Sequence, residues 1–124
     1  FNFGLQGMQF TAVSTTAENQ TLSNPVYVHS IPNNGDNQDI VSMGTNSALM
    51  AERVINNTFE VLSVQLAAIS QAIDIDQSYE KLSTASKALY DFVRKSIDVI
   101  KEDTPQYEGL ALLKANLLQS KEGL

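Results

Sequence analysis

The sequence predicts an all-α protein, a bundle of long helices in which a polar loop, a candidate functional site, separates the first two helices. Apolar residues recur at intervals of three and four over most of the chain, as they do along one face of a helix. Two of the three prolines, Pro25 and Pro32, lie together in a polar, turn-rich tract between two stretches of nearly uncharged helical sequence. We therefore expect helices throughout, interrupted by one long loop.

The first predicted helix covers residues 1–20. One of its faces carries two aromatic rings and a single amide, and comprises Phe3, Gln6, Phe10, Val13 and Ala17. Gly4 and Gly7 lie on a second face and each cost about 1 kcal/mol of helix propensity relative to alanine. Contacts with other elements must therefore hold this helix in place.

Residues 21–37 form the predicted loop. Connections in helical bundles usually span about 2 to 8 residues, so a longer one between buried helices is either functional or disordered. Residues 33–36 read Asn-Asn-Gly-Asp, which favours a turn rather than a disordered tether. Asn34 and Gln38 lie four residues apart at the predicted start of the next helix, and both carry uncharged amides. They are candidate site residues, although spacing alone supports helix capping and loop closure equally well.

A long core helix is predicted over residues 38–73. Its main apolar stripe consists of Ile55, Phe59, Leu62, Leu66, Ile69 and Ile73, and a second apolar stripe covers much of the opposite side. A helix that is apolar on several faces is buried in a large core or shared between subunits. Two amphipathic helices are predicted within residues 78–120, the first over 78–101. The second begins at the capping signal Asp103-Thr104-Pro105-Gln106.

Charge is distributed unevenly along the 124 residues, whose net charge is −6. Residues 1–73 contain five acidic residues and one basic residue, whereas residues 74–124 contain nine acidic and seven basic residues. Soluble domains average about 25% charged residues, so the first part has too little charge for a free surface. We expect further chain or further subunits to cover it. The alternative is a small domain with an adhesive surface, and an initial Phe hints at a fragment.

Composition excludes several kinds of site. The chain has no cysteine and one histidine, which excludes thiolate and multi-histidine metal sites. Its negative charge and the absence of a basic patch argue against nucleic acid and anionic membranes. No membrane-spanning run or signal peptide is evident, so we expect a cytoplasmic protein. For His29, a structural hydrogen bond is a better interpretation than catalysis.

Five short strings lie in order along the sequence, and they are Gly4-Leu5-Gln6-Gly7-Met8, Thr16-Ala17-Glu18-Asn19, Leu22-Ser23-Asn24-Pro25, His29-Ser30-Ile31-Pro32 and Gln38-Asp39-Ile40-Val41-Ser42-Met43-Gly44. Together they resemble the histidine and aromatic amino-acid ammonia-lyases, most closely the bacterial tyrosine ammonia-lyases. Each string is weak evidence alone, but five in order at the right spacing are strong evidence. The resemblance is dense over residues 1–73.

The resemblance implies that the chain is the C-terminal portion of a homotetrameric enzyme. In that family a 4-methylidene-imidazol-5-one group (MIO), formed from Ala-Ser-Gly, is the electrophile. Ammonia is eliminated from an L-amino acid to give an α,β-unsaturated acid, and a tyrosine removes a β-proton. This sequence contains no Ala-Ser-Gly, and none of its tyrosines occupies the catalytic motif. We therefore expect no catalytic residue in this chain, which alone would be inactive, and an amino-acid substrate for the full-length protein.

The resemblance also implies substrate-binding roles for four residues. Gln38 matches a position that is commonly Gln in enzymes specific for phenylalanine or tyrosine and Glu in those specific for histidine. Asn34 matches a position near the bound amino acid, and Gln6 and Phe10 match positions that line the pocket. Tyrosine is therefore favoured as the substrate, with histidine ammonia-lyase and tyrosine aminomutase as alternatives. A non-catalytic helical assembly module is the alternative from another class.

Overall fold

The computed structural model describes residues 3–120, and this part of the chain folds into four α-helices. They are α1 (Gln6–Leu22), α2 (Gly44–Ile75), α3 (Thr84–Arg94) and α4 (Tyr107–Gln119), with short 3-10 turns at Val26–His29 and Tyr79–Lys81. Residues 3–120 contain no β-strand beyond an isolated bridge between Asn33 and Gln38. The all-α prediction is confirmed.

Helix α1 begins five residues later than the sequence predicted. Gly4 has a φ of 62°, a left-handed conformation that glycine adopts at little cost and that a helix does not continue through. The carboxylate of Asp103 accepts hydrogen bonds from the backbone N–H groups of Phe3 and Gly4, the latter at 3.0 Å. Residues 1 and 2, which the sequence also assigned to this helix, lie outside the described residues.

Helix α2 begins at Gly44, six residues after the predicted start at residue 38. The preceding segment is held in the loop by a hydrogen bond across the loop, in which the Ser30 hydroxyl accepts from the Val41 backbone N–H at 2.8 Å. Met43 then turns the chain into the helix with a φ of 50°. The connection between α1 and α2 is therefore residues 23–43, which we call the polar loop.

The helix predicted over residues 78–101 is shorter in the structure, where α3 covers Thr84–Arg94. Ser83 caps α3, since its hydroxyl accepts from the Ser86 backbone N–H at 3.2 Å. Beyond Arg94 the chain leaves the helix, and the backbone of Ile100 binds the Gln71 side chain instead. Asp103 does not cap α4, because it contacts the entry to α1. Helix α4 starts at Tyr107 with no side-chain cap.

The core lies where α2, α3 and α4 meet. Its buried apolar residues come from all three helices and from the segment after α3, and are Ala67, Val93, Ile97, Leu113 and Leu117. Helix α2 contacts each of the other helices. It does so largely through small or polar side chains, and its buried residues are Ser63, Val64, Ala67, Ser70 and Gln71. Small side chains allow neighbouring helices to approach closely.

The large apolar residues of α2 lie mainly outside this core. Ile55, Leu62 and Ile69, seven residues apart, are 53%, 39% and 48% exposed. The sequence predicted them in one apolar stripe with Phe59 and Leu66, but only those two contact the core. The stripe divides because the small-residue face packs within the chain. An apolar seam therefore remains on the outside of α2.

A polar cluster fastens α3 to the end of α2. The Tyr90 hydroxyl donates to Asp74 Oδ1 at 2.5 Å, and Arg94 forms an ion pair with Asp74 Oδ2. Arg94 also donates to the backbone carbonyls of Ile97 and Asp98 at 3.2 and 3.0 Å. The carboxylate thus holds two turns of α3 together, and its hydrogen bond raises the pKa of the Tyr90 hydroxyl.

We expect Tyr90→Phe to lower the free energy of unfolding by about 1 kcal/mol, the usual contribution of one hydrogen bond. Chemical denaturation should show this loss, while Tyr107→Phe, at an exposed position, should change little. Because folding raises the pKa of Tyr90, its stabilisation is fully present below the unfolded pKa of about 10 and is lost as pH rises through the folded pKa. Equal stability of both variants would contradict this role.

Candidate functional site

The tip of the polar loop is a tight turn with three consecutive left-handed residues. Asn34, Gly35 and Asp36 have φ values of 54°, 60° and 64°. Glycine adopts this conformation freely, and Asn and Asp tolerate it better than most other residues. Asn33 and Gln38 close the turn through two backbone hydrogen bonds of 3.2 and 3.3 Å. The predicted turn chemistry thus builds a defined hairpin tip.

The structure removes helix capping as a role for Asn34 and Gln38. Helix α2 starts six residues beyond Gln38, and its N-cap residue, Met43, makes no side-chain capping bond. Gln38 closes the loop through its backbone, and Asn34 accepts from the Asn37 N–H at 3.3 Å through its carbonyl. Both residues are exposed, and their side-chain amides take no part in these contacts. The amides are therefore free to bind a ligand.

Gln6 and Phe10 lie one turn apart at the beginning of α1. Phe10 is 67% exposed, so its ring does not pack within this part of the chain. Gln6 lines a groove of about 530 Å³ between α1 and α2, whose other amides belong to Gln9 and Gln65. The groove wall is otherwise apolar, formed by Leu5, Met8, Ala12, Val61, Val64 and Ala68. An aromatic molecule could contact such a surface while an amide binds its polar group.

The structure thus presents two pairs of predicted site residues on separate elements. Asn34 and Gln38 share the loop tip, whereas Gln6 and Phe10 share a face of α1. Among the hydrogen bonds of residues 3–120, none joins one pair to the other. Their substrate-binding role stays a prediction.

A polar cluster between α1 and α2 was missed by sequence reasoning, which used Glu18 only as part of the string Thr16-Ala17-Glu18-Asn19. Glu18 pairs with Arg53, and the Asn57 amide donates to Glu18 Oε2 at 3.2 Å and to Asn19 Oδ1 at 2.9 Å. Asn19 in turn donates to the Val54 carbonyl at 3.5 Å. A signal for this cluster exists, because Arg53 is the one basic residue among residues 1–73.

Other candidate features can be located directly. His29 is the last residue of the 3-10 turn in the polar loop and is exposed. Residues 3–120 contain no group of three or more His, Asp or Glu side chains placed to hold a metal ion. Over the same residues, no helix combines the length and apolar character needed to cross a membrane.

Comparison with known proteins places these features in a family. A model of the family "Aromatic amino acid lyase" matches residues 1–95. The chain is 40% identical to a MIO-dependent tyrosine 2,3-aminomutase of Streptomyces globisporus over 89% of its length. It is 35% identical to a tyrosine ammonia-lyase of Cupriavidus metallidurans over 94%, and 39% identical to a histidine ammonia-lyase of Fusobacterium nucleatum over 86%.

The fold agrees with this assignment. The crystal structure of tyrosine aminomutase from Streptomyces globisporus superimposes with a TM-score of 0.90 at 39% identity, over 94% of this chain and 22% of that one. The matched regions are 20% to 22% of the three relatives' lengths, so this chain spans about a fifth of each. The family match over residues 1–95, together with these relatives, confirms the resemblance of the five strings. The chain belongs to the aromatic amino acid lyase family.

Proposed function

We propose that this chain is the C-terminal part of an MIO-dependent enzyme that eliminates ammonia from an aromatic L-amino acid, with tyrosine as the preferred substrate. The chain supplies substrate-binding residues and part of the oligomer core. The observation that carries the proposal is the loop tip, where Asn34 and Gln38 present uncharged amides that neither cap a helix nor bond to a neighbour. Family membership gives the reaction class.

The chemistry of the reaction lies largely outside these residues. The MIO group supplies an electrophile for the amino-acid substrate, and it must come from another part of the full-length protein because no Ala-Ser-Gly is present here. This chain binds and orients the substrate. Asn34 approaches the bound amino acid, Phe10 contacts the substrate ring, and Gln6 donates a hydrogen bond to the ring hydroxyl.

Gln38 favours tyrosine over histidine. A neutral amide beside an apolar aromatic ring avoids the large cost of burying an unpaired charge, whereas a carboxylate would suit a polar imidazole. The names of the relatives include both substrates and an aminomutase at similar identities, so overall similarity does not discriminate. Urocanate formation from histidine and conversion of tyrosine to a β-amino acid are the alternative reactions.

The proposed enzyme is a cytoplasmic homotetramer in which α2 packs against helices of neighbouring subunits. Helix α2 contains 32 residues and is therefore about 48 Å long. The heptad spacing of Ile55, Leu62 and Ile69 is that of a seam between long helices. The loop adds exposed apolar side chains at Tyr27 and Ile40. A chain that only assembles, without catalysis, would use the same surfaces.

Product analysis of the full-length protein tests this proposal. We expect coumarate from tyrosine, detected by its ultraviolet absorbance and by chromatography, and little or no urocanate from histidine. Residues 1–124 alone, as the control, should form no product. Formation of urocanate alone would refute the argument that Gln38 favours tyrosine over histidine. Formation of β-tyrosine would favour the aminomutase reaction. The absence of every product would favour the assembly module.

A further inference from the structure

We propose that Glu18, Asn19, Arg53 and Asn57 form a clamp that positions the polar loop and, with it, the substrate-binding amides at the loop tip. The four residues are positioning residues, since they act through the loop. This inference rests on the proposed function because it concerns the same site. Nothing in the family match assigns the clamp a part in the reaction.

The clamp lies where α1 and α2 last contact each other through polar groups before the loop. Glu18 is four residues before the end of α1, and Asn57 is thirteen residues after the start of α2. At 1.5 Å per residue, α2 therefore extends about 14 Å further toward the loop than α1 does. The 3-10 turn Val26–His29, which follows α1 in the loop, also contacts α2.

One side chain joins both partners on α1. The Asn57 amide donates at 3.2 Å to Glu18 and at 2.9 Å to Asn19, and Arg53 balances the charge of Glu18. The Asn19 amide also donates to the Val54 carbonyl. Two consecutive residues of α1 are therefore fixed to two turns of α2. This arrangement sets both the rotation and the height of α1 against α2.

The other restraints on helix α1 lie further from the loop, since Asp103 binds the backbone at its start and Met8 packs against the core. Its first turn lacks a side-chain cap, and Thr15 is its one buried residue. Thr15 and Glu60 share a hydrogen bond of 3.2 Å further from the loop. The loop itself has no buried residue among positions 23–43. Segments with few buried contacts open at low free-energy cost, so the position of the loop depends on its two ends.

Loss of the clamp should therefore shift the loop without unfolding the core, which α2, α3 and α4 form. A displacement of about 1 Å at a binding site can reduce kcat/KM about a hundredfold. Because Asn34 and Gln38 bind rather than react, we expect most of the loss in KM. A purely structural clamp would lower the thermal midpoint and leave KM unchanged.

The test uses the full-length protein with Asn57→Ala, which removes both amide hydrogen bonds. Asn56→Ala is the matched control, since the Asn56 amide bonds within α2, to the Glu52 carbonyl. We expect Asn57→Ala to raise KM for tyrosine about tenfold or more, to change kcat less, and to accelerate amide hydrogen exchange in residues 23–43 but not in α4. The control should match the wild-type protein.

Arg53 provides a second variant that preserves folding, because its side chain is 64% exposed. Arg53→Ala should raise KM in the same direction, and Arg53→Lys should restore part of the loss by keeping the charge. Unchanged KM or unchanged loop exchange in both Asn57→Ala and Arg53→Ala would overturn the clamp. If the wild-type protein forms no product, the proposed function fails and loop exchange alone decides whether the clamp positions the loop.

Discussion

Gln38→Glu in the full-length protein is expected to lower kcat/KM for tyrosine by about a hundredfold. In the proposed site, the substitution keeps the shape of the side chain and places a carboxylate beside the aromatic ring of the substrate. A buried charge without a partner costs several kcal/mol, and about 2.7 kcal/mol corresponds to a factor of a hundred. Steady-state assays of coumarate formation measure the loss.

The matched control for this substitution is Gln77→Glu. Gln77 follows the C-terminal end of α2, about 48 Å along that helix from the loop, and is exposed. Both variants introduce the same charge, so only the position differs. Circular dichroism should show unchanged helix content in each, because Gln38 lies outside every helix and closes the loop through its backbone.

Unchanged kinetics of Gln38→Glu would restrict Gln38 to loop closure by its backbone. An appearance of histidine turnover in this variant would strengthen the specificity argument, since a carboxylate can pair with an imidazole. A loss of activity accompanied by a loss of helix content would instead show that the substitution disturbs the fold. Assays with tyrosine and with histidine, together with a circular dichroism spectrum, distinguish these three results.

The sequence predicted the parts of the fold that depend on local chemistry. Asn33 to Asp36 were predicted to form a turn, and three of them adopt the left-handed conformation that Asn, Gly and Asp tolerate. Helix existence and type were also correct, because the apolar period is strong along α2. The family could be identified because its short strings, such as Gln38 to Gly44, lie in order.

The predicted helix boundaries were wrong where a residue distant in sequence determines them. The start of α2 moved to Gly44 because Ser30 binds the Val41 backbone, and the Asp103 signal failed because Asp103 binds the entry to α1. Neither partner is close in sequence to the residue it affects. Periodicity also cannot tell which apolar face of α2 packs within the chain, so the sequence did not predict that Ile55, unlike Phe59, lies outside the core.

Gln71 is another residue whose partner is distant in sequence, and it is buried. It is 8% exposed, and its side-chain amide forms two hydrogen bonds of 2.9 Å with the backbone of Ile100, donating to the carbonyl and accepting from the N–H. The amide thereby pairs with the chain as a neighbouring strand would. It fixes the connection between α3 and α4 to α2 at Ile100.

We expect Gln71→Leu to lower the free energy of unfolding by about 3 kcal/mol, because leucine leaves two backbone groups of Ile100 unpaired at about 1 to 3 kcal/mol each. Chemical denaturation measures this loss. Gln65→Leu, at an exposed position of the same helix, is the matched control and should change stability little. Equal stability of the two variants would mean that water replaces the Gln71 amide. A selective loss in Gln71→Leu shows that this one side chain holds the α3–α4 connection against α2.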